Sequence, residues 1–552
     1  MKITGVSRLK YLYFILPLFL ISCCFNLPDI LIDAYESVEV KDVVDIPQDH
    51  KAHIAGNAAE KTPLPEDNKV SVKEKEIVPE KVELPAGTQT KVIEKAIPEE
   101  KIQTTVEEKA IPAKEAQTTS KGKFLLSEKN QATMNEDYDR TYFSVWHNLL
   151  PFHSSAEKVS LIFQKFAASP GYGENKKKHS FDWIKKLRQN AALENFPNTL
   201  RPAMTMRSTN LRMLPTQGPH FYRPGGDING WPFDNLQISS VAANTPILIC
   251  HLSADKTWAL VETSFAFGWM PAEDYALVSP EFMKIWESGR YAVVIKDKSS
   301  VIDEKGLFSI RTSIGQIFPL VTEKPENLEI LIAVPDENNQ AIIKHSQASR
   351  QVVDIKPLSF TRTNAVKIAN EMIDEPYGWG GLYGNRDCSA MTRDFFAPFG
   401  IWLPRHSEDQ VKNVGTYFDL QYYAPEQKEK IIVEQGVPYL TLLWRKGHIM
   451  LYIGEENGRA LIFHNAWGVR TRDFWGNEGR KIIGKAVITT LSPGAELYFV
   501  PRESLLLNNI SAMSVIGPLK QNQAASQNGG FAQTVPETGI GDHSTYASDS
   551  NE

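Results

Sequence analysis

Tyr377-Gly-Trp-Gly-Gly-Leu-Tyr-Gly-Asn-Arg-Asp-Cys-Ser389 leads straight into an apolar run, and Cys388 is the residue from which the chain is read outward. Ala390, Met391, Phe395 and Phe396 recur at helical spacing and Pro398 ends the run, so the spacing predicts a helix. Asp387 suits its N-cap and Cys388 falls in the first turn. A neutral cysteine is mostly thiol at pH 7 and attacks a carbonyl only with a lowered pKa or an adjacent base. The partial positive charge of a helix start favours the thiolate, by roughly 0.3–1 kcal/mol at an exposed site. A buried cysteine is more often a small hydrophobe. The glycines and aromatics around Cys388, and two histidines downstream, fit chemistry better.

Those histidines are His448, in Gly447-His-Ile-Met-Leu-Tyr-Ile-Gly454, and His464, in Arg459-Ala-Leu-Ile-Phe-His-Asn-Ala466. Both segments alternate like strands, and Asn457-Gly458 between them signals a hairpin. Directly opposed residues share a face, so the histidines face the same way only if the loop holds an odd number of residues. A two-residue Asn457-Gly458 turn sets them on opposite faces. A three-residue loop, Glu456–Gly458, pairs His448 with Ala466 and makes His464 its diagonal neighbour. The three-residue loop is therefore expected. Thiol, imidazole base and a second group orienting that base are the parts of a cysteine nucleophile. Zinc is set aside, because the chain has no tight Cys-x-x-Cys or His-x-x-x-His pair.

From about Thr361 to Val500 the chain resembles an NlpC-type peptidase, the bacterial cell-wall branch of the papain-like cysteine peptidases. The matching residues are Tyr377-Gly-Trp-Gly-Gly381, Asp387-Cys-Ser389, Leu403-Pro-Arg-His-Ser407, Gly447–Gly454 and Phe463-His-Asn-Ala-Trp-Gly468. The resemblance implies cleavage of murein stem peptides between γ-D-glutamate and a diamino acid, with no cofactor and no metal. It makes Cys388 the nucleophile, His448 the base and His464 its orienter. Ala390 stands where the family often has glycine. Tyr377, Asp387, Ser389 and Arg405 match residues that line the site in related endopeptidases. By that resemblance Asp387 accepts the free amine of an N-terminal L-alanine, a charge-assisted hydrogen bond; its other reading is a helix cap alone. Arg405 pairs with a substrate carboxylate, or else with Glu408 or Asp409.

Residues 1–22 read as a lipoprotein signal peptide: Lys2, Arg8 and Lys10 precede an apolar stretch, Tyr11–Ile21, too short to span a bilayer. Leu20-Ile21-Ser22-Cys23 resembles a lipobox, which implies acylation of Cys23 and a periplasmic protein anchored to the outer membrane. With Cys23 acylated and Cys388 catalytic, a disulfide framework is not expected, and Cys250 reads as core. Within residues 23–135, the stretch from about Glu36 to Asn135 is rich in Lys, Glu, Val, Pro and Thr. Glu94-Lys-Ala-Ile-Pro98 recurs 14 residues later as Glu108–Pro112. This segment reads as a disordered tether spanning roughly 50–60 Å.

The net charge of −6 becomes −9 without residues 1–22 and shows no broad basic patch, so nucleic acid is not an expected partner. The expected partners are murein stem peptides and, through the anchor, a membrane; the protein is expected to be a monomer. The expected fold class is α+β, in the order of a helical segment (136–199), SH3-like domains (200–288 and 289–356), a papain-like NlpC-type domain (357–505) and a disordered tail (506–552). Thr257–Glu262 and Phe267–Asp274 look like central strands of the first barrel. Arg290–Ile295, Gln316–Val321 and Glu329–Val334 fit the second. Substrate choice is where the sequence divides. A buried carboxylate at Asp387 without a cationic partner costs several kcal/mol, which favours stem peptides with a free L-alanine amine. The long tether favours intact murein. A silent murein-binding scaffold is the reading from another class.

Overall fold

The computed structural model describes residues 124–225 and 230–517. The signal segment, Cys23, the 14-residue repeat and everything beyond residue 517 lie outside the described residues. Three helices come first: α1 (Glu128–His147), α2 (Ala156–Ala168) and α3 (Phe181–Ala191). Ser127, Ser155 and Ser180 cap them, each hydroxyl accepting the N–H three residues on. The expected boundary at 135/136 falls inside α1 and is corrected. The first turns of α1 carry a polar sequence because they dock through an amide rather than an apolar stripe. Gln131 Nε2 donates to Leu358 O at 2.7 Å and Phe399 O at 3.0 Å, and its Oε1 accepts from Phe360 N.

The first SH3-like barrel is a seven-stranded sheet in the order β3-β2-β6-β5-β4-β1-β7. Its strands are β1 (Arg201–Thr205), β2 (Thr209–Arg212), β3 (Gln237–Val241), β4 (Pro246–Leu252), β5 (Trp258–Glu262), β6 (Phe267–Pro271) and β7 (Tyr275–Leu277). Cys250 is fully buried on β4, and burial raises its thiol pKa. After a short helix, α4 (Pro280–Trp286), the second barrel pairs β8 (Tyr291–Val294) with β11 (Ile317–Glu323) and β14 (Val353–Ile355). β12 (Asn327–Pro335) and β13 (Ala341–Ser349) extend it, with β9 (Ser300–Ile302) and β10 (Ser309–Arg311) as a separate ribbon.

The remaining domain is an antiparallel six-stranded sheet with helices on it. It holds α5 (Arg362–Met372), α6 (Cys388–Phe396), α7 (Ser407–Asn413) and α8 (Pro425–Gln435). Its strands are β15 (Thr416–Asp419), β16 (Thr441–Arg445), β17 (His448–Glu456), β18 (Arg459–Arg472), β19 (Glu478–Thr490) and β20 (Ala512–Val515). The order β15-β20-β16-β17-β18-β19 puts the last strand inside the sheet, where Leu443 opposes Met513. The expected start of the tail at residue 506 is thus corrected: the domain continues through β20. A four-residue strand whose partner lies some seventy residues earlier carries no local signal. Met391, Phe395 and Phe396 of α6 are buried in one core with Leu451 of β17 and Phe463 of β18, which holds the start of α6 against the histidine strands.

The β17–β18 hairpin reaches the expected facing by a different route. Glu456 pairs with Arg459, so Asn457 (φ +54°) and Gly458 (φ +76°) form a two-residue turn. The odd residue sits within β17 instead: Tyr452 opposes Ile462 and Gly454 opposes Leu461, leaving Ile453 as a bulge. The bulge restores the parity that the three-residue loop was expected to supply.

Candidate active site

The glycines before Cys388 exist because the first barrel lies against them. Gly380 (φ +56°) and Gly381 (φ +86°) run over β3, where a Cβ would come within 2.7 Å of Gln237 and 2.4 Å of Ser240. Gln237 Nε2 donates to Gly380 O at 3.0 Å, and Trp379 Nε1 donates to Asp234 O at 3.1 Å. The second barrel holds the same loop two residues before the thiol. Arg386 forks onto Asp297, donating to Oδ1 at 2.9 Å, and its Nε donates to Asp394 at 2.7 Å.

Asp387 caps α6, accepting from Ala390 N at 2.8 Å. It is also bound by Arg405, whose Nη2 donates to Oδ2 at 2.5 Å and Nη1 to Oδ1 at 3.1 Å. Arg405 further donates to Ser389 Oγ at 2.6 Å and to Ser239 Oγ of the first barrel at 2.9 Å. Burial alone would raise the Asp387 pKa, but the Arg405 guanidinium and the capped N–H outweigh it and hold the carboxyl below its usual range. Two expectations are corrected here. Arg405 pairs with Asp387 rather than with Glu408, Asp409 or an open carboxylate site, and Asp387 is not a carboxylate lacking a cationic partner.

His448 opens β17, part-buried, and His464 on β18 is buried. His448 Nε2 lies 2.8 Å from His464 Nδ1, and His464 Nε2 lies 3.1 Å from Thr489 Oγ1. Thr489 donates its own proton to Thr490 O at 2.8 Å, so its oxygen accepts from His464 Nε2–H. His464 Nδ1 is then bare and accepts from His448 Nε2–H, which leaves His448 Nδ1 with a lone pair. Hydrogen-bond polarity running back from one threonine sets the tautomer of the base.

The protonation states are neutral. Burial, followed by the Asp387 charge, pushes the Cys388 thiol up to about 12, against weaker opposing pulls from the Ile449 and Ser389 N–H groups and Arg405. This overturns the expected thiolate: desolvation exceeds the small helix-start contribution. Burial also lowers His464 to about 4 and His448 well below 6.5, the latter with help from the neighbouring His464 and Arg445. A neutral imidazole beside a neutral thiol is the arrangement of a general base.

Tyr377, Cys388, His448 and His464 line one cavity; Asp387, Ser389 and Arg405 form a polar network adjoining Cys388. Phe233 of the first barrel, Arg445, Trp467 and Arg480 share that lining and were not anticipated, nor were Ser239 and Thr489. Trp467 is a ring hub, 5.8 Å from Tyr377, 5.9 Å from Phe233 and 6.1 Å from Trp231 between centroids. Only Trp467 had a signal in sequence, since it lies in the quoted Phe463–Gly468 motif.

Comparison with known proteins shows which families these domains resemble. Residues 374–475 match the model of the NlpC/P60 family, and residues 84–196 match the N-terminal NLPC_P60 stabilising domain. Residues 219–271 match an SH3 domain of SH3b1 type, and 279–325 one of SH3b2 type. A solved structure described as a novel NlpC/P60 endopeptidase from Photobacterium damselae subsp. piscicida aligns with TM-score 0.64 and 25% identity, covering 71% of this chain and 94% of that one. An NlpC/P60 family protein from Bacillus cereus ATCC 10987 aligns with TM-score 0.40 and 16% identity, over 57% of this chain and 100% of that one. A search of curated proteins found no match. The chain carries an NlpC/P60 cysteine-peptidase domain preceded by two SH3-type modules.

Proposed function

We propose that this NlpC/P60 peptidase hydrolyses the bond between γ-D-glutamate and a diamino acid in peptidoglycan stem peptides, as a monomer held in the periplasm by a lipid anchor at Cys23. Cys388 Sγ attacks the γ-glutamyl carbonyl while His448 Nδ1 takes the thiol proton, and His464 keeps the ring in that tautomer. The oxyanion is met by the Cys388 N–H, one of the donors that a helix start leaves unused. His448 then protonates the departing amine, and water hydrolyses the thioester to regenerate the thiol. The observation that carries this reading is the 2.8 Å contact between His448 Nε2 and His464 Nδ1 in the cavity lined by Cys388.

The preferred substrate is a released stem peptide with a free N-terminal L-alanine. Its support is the first barrel: Phe233 walls the catalytic cavity and Ser239 holds Arg405 beside Cys388, which suits a peptide end better than a cross-linked strand. The Asp387 carboxylate contributes less than its position in sequence implied, because Arg405 already occupies both of its oxygens. The test is hydrolysis of L-Ala-γ-D-Glu-diaminopimelate with and without N-acetylation, followed by mass spectrometry with Cys388→Ala as control. Acetylation is expected to lower kcat/KM at least tenfold. Equal rates would refute the free-amine preference, and no cleavage of either peptide under reducing conditions would refute the activity.

A further inference from the structure

Arg386 is held at both ends, and the two ends lead to different parts of the molecule. Its guanidinium forks onto Asp297 of the second barrel and turns its Nε to Asp394 of α6; the Arg386 and Asp297 side chains are each only 8% exposed. Asp297 is also fixed independently of the arginine, because its Oδ1 accepts from Ile314 N at 2.7 Å. Burial alone would raise the Asp297 pKa, but the guanidinium outweighs it and keeps the carboxylate ionised. Gly315, at φ +87°, brings the same turn against α6, where a Cβ would come within 2.7 Å of Ala397 Cβ. The second barrel therefore touches both the nucleophile's helix and the loop before it.

The carbonyl of Arg386 is held separately. It accepts from Gly378 N at 2.8 Å and from Asn465 Nδ2 at 2.9 Å. Asn465 is fully buried on β18 and directly follows His464. One residue, two before Cys388, thus joins the second barrel to the strand that orients the base. A module that only bound the wall would need none of these contacts. A buried ion pair is also a poor source of stability, since desolvating both charges offsets most of their attraction. What the arrangement supplies is fixed geometry, and misplacing reacting groups by about 1 Å can cost about a hundredfold in rate.

We propose that Arg386 is a positioning residue, clamped by Asp297 and Asn465, that sets the Cys388 thiol against the His448 base, and that the second SH3-type barrel is therefore part of the catalytic apparatus. This rests on the Cys388–His448 pairing of the mechanism above and adds to it a residue in another domain.

The test is alkylation of Cys388 by iodoacetamide at pH 7, per folded protein, in a double-mutant cycle with His448→Ala. Asp297→Asn keeps an acceptor for Ile314 N and leaves Arg386 its bond to Asp394. With His448 present it is expected to slow alkylation at least fivefold. In the His448→Ala background it should change the rate less than twofold, because no base remains to be aligned. A loop that had merely loosened would change both backgrounds alike. The sign is informative too, since loss of a nearby negative charge by itself favours the thiolate and would speed the reaction. Asn465→Leu, which keeps the branched shape and lacks the donor, should repeat the pattern. On L-Ala-γ-D-Glu-diaminopimelate both variants should lower kcat at least tenfold with KM within threefold of wild type. Arg290→Gln, which breaks an exposed ion pair of the same barrel, should change neither. Alkylation requires no peptide, so it reads the clamp even where the substrate assignment fails. No slowing, equal slowing in both backgrounds, or a loss confined to KM would overturn the clamp while leaving the peptidase intact. Equal alkylation of wild type and His448→Ala would remove the base assignment and the clamp with it.

Discussion

Replacing Asp387 by asparagine separates the roles that this residue combines. Asparagine caps a helix about as well as aspartate, so the bond to Ala390 N, 2.8 Å in the wild type, is expected to survive. What is lost is the ion pair. The Arg405 side chain is only 11% exposed, and without a carboxylate it is left facing the hydroxyls of Ser239 and Ser389. Removing one partner of a buried pair costs about 3–5 kcal/mol, mostly from the charge left behind. Urea unfolding followed by tryptophan fluorescence should register that loss, and Asp387→Ala should add about 1 kcal/mol for the missing cap. The double variant Asp387→Asn with Arg405→Gln should recover part of it, because no charge is stranded. A second readout has an independent sign. The Asp387 charge helps hold the Cys388 thiol at about 12, so its removal should lower the pH at which the thiol alkylates. Stability within 1 kcal/mol of wild type, or an alkylation midpoint that rises, would refute the pairing argument.

Two further predictions concern the imidazoles. Cys388→Ala and His448→Ala should abolish turnover, whereas His464→Ala should leave a residue of activity and His464→Gln more, since Gln still hydrogen-bonds the ring. Thr489→Val should move the acid limb of the kcat/KM profile and Thr489→Ser should restore it; a profile unmoved by Thr489→Val would refute the tautomer chain. The second is linkage: His464 has its pKa lowered from 6.5 to about 4 by burial, so the unfolded state binds the extra proton first. Stability should therefore fall as pH drops from 6.5 through 4, by about 3 kcal/mol from this group, with His448 acting in the same direction. Urea midpoints at pH 7 and 4.5 that show no smaller difference in His464→Gln than in wild type would refute it.

Much of the site was legible because its signals are local. The cap residue before Cys388, the apolar spacing after it and the alternation around His448 and around His464 each lie within about a dozen residues of the side chain they place. What sequence missed is long-range. Arg405 has acids at positions 408 and 409, yet its carboxylate is Asp387, brought near by the fold. Ser239 reaches Arg405 and Asp297 reaches the nucleophile loop at Arg386, each from a separate barrel, and no periodicity marks them. Parity in the β17–β18 hairpin shows a subtler limit. The requirement that both histidines share a face called for one extra residue between the paired strands, but a bulge at Ile453 and a longer loop satisfy the same count. The glycines of Trp379-Gly-Gly381 read as loop freedom in sequence, while the structure gives them a steric cause in β3.

The neutral state of Cys388 and His448 constrains how the reaction starts. Burial pushes the thiol up to about 12 and His448 well below its ordinary value, so both groups resist ionising. Forming a thiolate–imidazolium pair before substrate arrives would therefore carry a separate free-energy cost at both partners. Moving the proton to His448 Nδ1 as sulfur approaches the carbonyl avoids that separate cost, because negative charge passes onto the oxyanion and its N–H donor instead of resting on sulfur. The fixed tautomer matters for the same reason. A base that must accept the proton during attack has no time to rotate or retautomerise, and the line from Thr489 through His464 holds its lone pair in place.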